Sequence, residues 1–233
     1  MNNTAENCRC AVLIGFHDKV VTELEKRGIR CVILKNNEEI DCSVRNHADM
    51  AAFHLPDGRI ILDRRQKEAA KLLKEFGCDY IFTEKEISGA YPDDVMLNAA
   101  QVGDTLICNS KYISREILSA YKKIIDVRQG YTKCSVCVIG DNAFITDDSG
   151  IYEKCKDSFD VLLTEKGDIV LEGQNYGFIG GASAKVGDKI YFFGSLERHR
   201  NGEEIKKFLS SHKAEYECLF EGNLIDIGGL VEI

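Results

Sequence analysis

The stretch HADMAAFHLPDGRIILD, residues 47–63, reads as two short apolar strands joined at Asp57-Gly58. An Asp-Gly or Gly-Asp pair suits a tight hairpin because it tolerates positive φ. The same layout returns in DDVMLNAAQVGDTLICN (93–109), KCSVCVIGDNAFITD (133–147) and YGFIGGASAKVGDKIYFFG (176–194). A weaker copy, GNLIDIGGLVEI, occupies residues 222–233. The turn glycines of these copies, Gly58, Gly103, Gly140, Gly187 and Gly228, recur every 37 to 47 residues. A period of that length marks a repeat architecture.

Each of the first four hairpins is followed by a helical pattern. The pattern is clear in RRQKEAAKLLKEFG and NGEEIKKFLSSH and weaker in SREILSAYKK and IYEKCKDSF. A short strand rich in β-branched or aromatic residues comes next: CDYIFT, KIIDV, FDVLL or AEYEC. The N-terminal part supplies what the fifth copy lacks, namely strand CRCAVLIG, helix HDKVVTELEKRG and strand RCVILK. One unit is therefore expected to be split between the two ends of the chain. Sharing a unit in this way closes a ring of repeats without exposing a sheet edge. The expectation is a single α/β domain of five repeats over residues 1–233, and the competing reading is a generic α/β sandwich.

The totals fit a globular protein. The 233 residues are 44% hydrophobic and 29% charged, without biased tracts. No apolar run is long enough to span a membrane. The opening MNNTAENCRC lacks the basic start and apolar middle of a signal peptide, so a cytoplasmic location is expected. A net charge of −8 argues against a nucleic-acid partner, whose phosphates need basic clusters. Most of the 10 cysteines sit inside apolar runs, which points to reduced, buried thiols. Cys134 and Cys137 form a CxxC, but period-2 alternation puts them on opposite faces of a strand, where neither a bridge nor a shared metal forms.

A ring of five ββαβ units resembles the penteins, the guanidino-group modifying enzymes, over nearly the whole chain. Three segments carry the resemblance. NHADMAAFHL is similar to the family's His-x-Asp segment, which implies a catalytic role for His47 and a guanidinium-binding role for Asp49. YPDDVMLNAAQVGDTLI resembles the next repeat, implying a substrate-binding role for Asn98. GYTKCSVCVI is similar to the strand that opens on the family's nucleophile, implying that role for Cys134. LFEGNLIDIGG resembles the Glu-Gly-Gly-(Asp or Asn) segment and would make Glu221 the acid that orients His47 or holds the cation. The family's usual order places two repeats before the histidine one, whereas here two follow the cysteine, so the order looks circularly permuted. A closed ring tolerates such a cut at any loop. Where many relatives present an acid, this chain has Gly180-Gly181, a departure from an ordinary arginine-like substrate.

The chemistry implied is attack of a thiolate on a guanidinium or amidinium carbon, a covalent thiouronium, and hydrolysis by water that His47 activates. Asp49 would pair with the planar cation through two parallel hydrogen bonds. The resemblance implies a small-molecule guanidine or amidine substrate, no cofactor and no metal. His47-x-Asp49 alone lacks the further ligands of a metal site. Two alternatives stay open: an amidinotransferase, which passes the same intermediate to an amine, and a pentein scaffold that binds without catalysis.

Overall fold

The computed structural model describes residues 10–233. Its elements follow one another as five copies of a strand–strand–helix–strand unit. The first copy holds β1 (Cys10–Gly15), α1 (Asp18–Lys26) and β2 (Ile29–Leu34). The second holds β3 (Ala52–His54), β4 (Ile60–Leu62), α2 (Lys67–Glu75) and β5 (Tyr80–Phe82). The third holds β6 (Ala100–Val102), β7 (Thr105–Cys108), α3 (Arg115–Ala120) and β8 (Lys123–Asp126). The fourth holds β9 (Val136–Gly140), β10 (Ala143–Thr146), α4 (Ser149–Cys155) and β11 (Asp160–Leu163), and β12 (Ile169–Val170) follows it. The fifth holds β13 (Ser183–Val186), β14 (Lys189–Phe192), α5 (Gly202–Ser211) and β15 (Glu215–Cys218). The chain ends on β16 (Leu224–Ile225) and β17 (Val231–Glu232).

Every unit forms one three-stranded sheet with an antiparallel first pair and a parallel second pair, the helix making the crossover. In the first unit the antiparallel partner comes from the other end of the chain, with Val12 opposite Glu232 and Leu13 opposite Val231. The split unit expected from the sequence is thus present. Its details differ: the fifth hairpin is not LIDI folded on LVEI across Gly228. β16 runs parallel to β12 instead, and only β17 joins β1. Cys8 and Arg9, at the start of the expected first strand, lie outside the described residues.

Helix positions follow local chemistry. His17, Ser114 and Asp148 each accept a hydrogen bond from a backbone N–H of the first turn that begins after them, at Val20, Ile117 and Ile151. α2 buries Ala69, Ala70 and Leu73 on one stripe, and α5 buries Ile205 and Leu209.

Packing closes the ring. Each large apolar cluster joins two successive units. Leu13, Val32 and Leu34 meet Ala52, Ile60, Leu62 and Leu73. Phe53 and Ile61 meet Leu106 and Ile117, and Val102 and Ile107 meet Phe144 and Ile151. Ile145 meets Phe192 and Leu209. Tyr191 and Phe193 then meet Val12, Ile14 and Val20, returning to the first unit. The first strands β3, β6, β9, β13 and β17 line two neighbouring cavities of about 160 and 380 Å³ at the centre. Each sheet packs its buried apolar residues against the next unit. Among the described residues, no helix is long and apolar enough to cross a membrane.

Candidate active site

His47 and Asp49 do not sit on a strand, although the hairpin read over residues 47–63 begins with them. His47 caps a 3-10 turn, Ala48–Met50, that precedes β3. Ala48 between them is packed into the cluster joining the first two units, while His47 and Asp49 turn away from it. The His47 N–H donates to the Val44 carbonyl at 3.0 Å and the Asp49 N–H to that of Gly228 at 3.2 Å. Both side chains are buried, 2% and 3% exposed.

Cys134 lies in the turn just before β9, not within the strand. Asn98 builds that turn: its Oδ1 accepts from the N–H of Lys133 at 2.7 Å and of Cys134 at 3.4 Å. Its Nδ2 donates to the Cys134 Sγ and to the Met50 Sδ, both at 3.3 Å. Asn98 has no exposure, and its amide is used by the turn. Through these bonds Asn98, expected to contact substrate, holds Cys134 in place. The Cys134 carbonyl accepts from the Gly181 N–H at 2.8 Å. The Cys134 thiol donates to Asp49 Oδ2 at 2.9 Å. Donor atoms of His47, Asp49 and Cys134 all lie within 4.8 Å of one another. Residues far apart in sequence thus converge.

Glu221 does not join them. It is exposed in the connection between β15 and β16. The acid beside His47 is Asp226, whose Oδ1 lies 3.9 Å from His47 Nδ1, beyond hydrogen-bond length. Asp226 is held by two backbone donors, Phe178 to Oδ2 at 2.9 Å and Gly228 to Oδ1 at 3.0 Å. The glycines nearby are spacers. A Cβ on Gly181 would stand 1.9 Å from Asp226 Oδ1, and one on Gly228, whose φ is +73°, would stand 2.2 Å from the His47 Cβ. A Cβ on Gly180 would stand 2.3 Å from the Lys133 carbonyl oxygen and 2.5 Å from that of Val136. The Gly180-Gly181 pair is thus where Asp226, just after β16, and the turn of Cys134 press together. Sequence reasoning does not reach Asp226, because the family's Glu-Gly pattern falls on Glu221-Gly222. The available signal was an acid set in the apolar run LIDIGGLV, two residues before a glycine pair.

A cavity of about 670 Å³ opens over this group, with His47, Cys134 and Asp226 in its lining. Burial pushes the Cys134 thiol well above its ordinary value, and the charges of Asp49 and Asp226 push it further. Burial also raises Asp49, against the opposing pull of His47 and Lys133. Burial and both charges thus favour the thiol over the thiolate. His47 Nδ1 and Asp49 Oδ1 are buried without hydrogen-bond partners. Such groups are costly unless something meets them. A planar cation placed there would supply donors to the carboxylates and a positive charge beside the sulfur. His, Asp and Cys are also a donor set for a thiophilic divalent ion, although a metal held there would occupy the thiol. Cys137, in contrast, is packed in the cluster between the fourth and fifth units, its thiol pushed up to about 11 by burial.

The fold is that of the penteins. Similar structures include a C. jejuni agmatine deiminase, 13% identical over 91% of this chain and 86% of that one, with a TM-score of 0.54. A dimethylarginine dimethylaminohydrolase solved as an adduct with S-methyl-L-thiocitrulline is 7% identical over 96% and 99%, with a TM-score of 0.55. The enzyme of that name from Pseudomonas aeruginosa, solved with citrulline, is 8% identical over 89% and 91%, with a TM-score of 0.52. The chain belongs to a family of unknown function (DUF6873), whose model matches residues 14–231. No curated protein matches the sequence at a significant level.

Proposed function

We propose that the protein is a cysteine-dependent hydrolase that cleaves a C–N bond of a guanidine or amidine. The observation that carries this reading is the Cys134 thiol 2.9 Å from Asp49, with His47 and Asp226 around one cavity. The fold shared with guanidino-group enzymes supports it.

In this reading Asp49 and Asp226 accept hydrogen bonds from the planar cation and fix its carbon against Cys134. The positive charge of the substrate offsets the burial that keeps the thiol protonated. Cys134 passes its proton to His47 and its sulfur bonds to the central carbon. As the tetrahedral adduct collapses, the C–N bond breaks and the departing amine takes the proton from His47. Water then gives a proton to His47, its oxygen bonds to the thiouronium carbon, and the C–S bond breaks. The sulfur leaves as thiolate and recovers the proton from His47. The products are an amine or ammonia and a urea or amide. Asn98 acts by holding the turn of Cys134, and Asp226 by holding the cation. Cys42, Cys78, Cys108, Cys134, Cys137, Cys155 and Cys218 are free thiols, which supports the cytoplasmic location included in this reading.

The test is a panel of guanidines and amidines scored for release of ammonia, alkylamine or urea, with Cys134→Ser as control. Turnover by the parent that is lost in Cys134→Ser supports the reading. Saturable binding without turnover by either protein would make the chain a binding scaffold, and transfer to an added amine would make it an amidinotransferase.

A further inference from the structure

The far end of the substrate is decided by the outer part of the same cavity. Glu39 and Asp41 bound it on one side, with the rings of Tyr91, Tyr131 and Tyr176 around them. Among the described residues that line the cavity, none is lysine or arginine. Of the basic side chains nearby, Arg45 is drawn to Glu38 at 2.6 Å. Lys166 rests over Tyr176 and Phe178, 5.7 Å from each ring centre.

The Tyr131 ring is prepared for a cation. Its hydroxyl donates to Asp94 Oδ2 at 2.8 Å. Asp94 has no exposure, and its Oδ1 has no partner. A phenol bonded to a carboxylate has a more electron-rich ring, and the carboxylate adds a negative charge behind it. Tyr91 packs beside Tyr131 at 5.4 Å and 36°. Gly130 permits this, because a Cβ there would come within 2.4 Å of the Tyr91 ring. At the inner end His47 lines the same cavity, and its buried Nδ1 has no hydrogen-bond partner. The cavity thus has a floor that calls for a ligand and an outer wall of carboxylates and electron-rich rings.

A guanidine built on an amino acid ends in a carboxylate, which needs cations or N–H donors. Here it would face Glu39 and Asp41 at the exposed mouth, where like charges disfavour binding. An ammonium or alkylammonium instead gains from both carboxylates and rings. Building on the hydrolase reading, we propose that the substrate is a guanidine or amidine with a second positive charge at its far end, held by Glu39, Asp41 and the tyrosines, and not an amino acid.

The probe is 2-chloroacetamidine, with alkylation of Cys134 followed by peptide mass spectrometry. Three competitors are compared, guanidines of equal chain length ending in an ammonium, a methyl or a carboxylate. The ammonium form should protect Cys134 at a concentration at least about ten-fold lower than the carboxylate form. Glu39→Gln should lower the preference for ammonium over methyl by about two- to five-fold, as for an exposed charge. The substitution is suited to the test because Glu39 serves the fold through its backbone, bonded to Asn37 and Gly89. Equal or better protection by the carboxylate form, or a preference unchanged in Glu39→Gln, would overturn the inference while the hydrolase reading stood. Failure of the probe to alkylate Cys134 at all would remove both.

Discussion

Gly181→Ala adds one methyl at the point where the site is most tightly closed. The new Cβ would stand 1.9 Å from Asp226 Oδ1 and 2.5 Å from its Cγ, so Asp226 must move by more than an ångström. Asp226 is tethered by the N–H groups of Phe178 and Gly228. Losing one bond to a charged acceptor costs about 1.5–3 kcal/mol. Overpacking adds about 1–3 kcal/mol. Partial relief of one by the other leaves a loss of about 2–5 kcal/mol, or roughly 5–15 °C in Tm for a chain of this size. The displacement also reaches the nucleophile, because the Gly181 N–H is bonded to the Cys134 carbonyl and the Gly181 carbonyl to the N–H groups of Ile227 and Gly229. Thermal unfolding and the rate of Cys134 alkylation by 2-chloroacetamidine are the two assays. Gly140→Ala is the control: nothing lies within 4 Å of its Cβ position, so the change should stay within about 0.5 kcal/mol. Gly181→Ala as stable and as readily alkylated as Gly140→Ala would refute the tight closure.

Two further outcomes follow from the site's electrostatics. Asp226→Asn should slow alkylation of Cys134 by the cationic probe at least about ten-fold, since a buried charge near the cation site is lost; Glu221→Gln, at an exposed position, should leave the rate within about two-fold. Asp147 is buried beside the Ile179 N–H, and burial pushes its carboxyl up to about 7. Its folded pKa exceeds its unfolded one, so the native state keeps a proton that the unfolded chain releases. Stability through this group is full below about pH 4, falls as pH rises to about 7, and then levels off. Asp147→Asn should raise stability by about 2–4 kcal/mol at pH 8, with little change at pH 4, as read by denaturant titration. An equal effect at both pH values would contradict the assignment.

The hairpins were legible because their turns have local chemistry. Gly58, Gly103 and Gly187 take the left-handed conformation, with φ of +87°, +57° and +58°. Helices were legible from apolar stripes such as Ala69, Ala70 and Leu73. Two turn glycines behave otherwise. Gly140 ends β9, and the turn falls on Asp141-Asn142 with a register shift at Ala143 and Phe144. Gly228 is left-handed to clear His47, not to turn a hairpin. Local pattern also failed for the β12–β16 pair and for Asp226. Both depend on contacts between segments more than fifty residues apart, which periodicity does not encode. His47, Asp49 and Cys134 were found by resemblance to a family motif, yet all three stand on turns at strand entrances, where alternation of faces does not apply.

The most direct measurement compares alkylation of Cys134 with that of the exposed Cys42 by a cationic and a neutral reagent, 2-chloroacetamidine and iodoacetamide, at neutral pH. A buried thiol ringed by carboxylates should resist the neutral reagent and react with the cation, because the cation supplies the missing positive charge. The predicted result is Cys134 modified ahead of Cys42 by the amidine and behind it by the amide, with the amidine preference lost in His47→Ala. Modification that follows exposure alone for both reagents, with Cys42 first each time, would contradict a reactive role for Cys134.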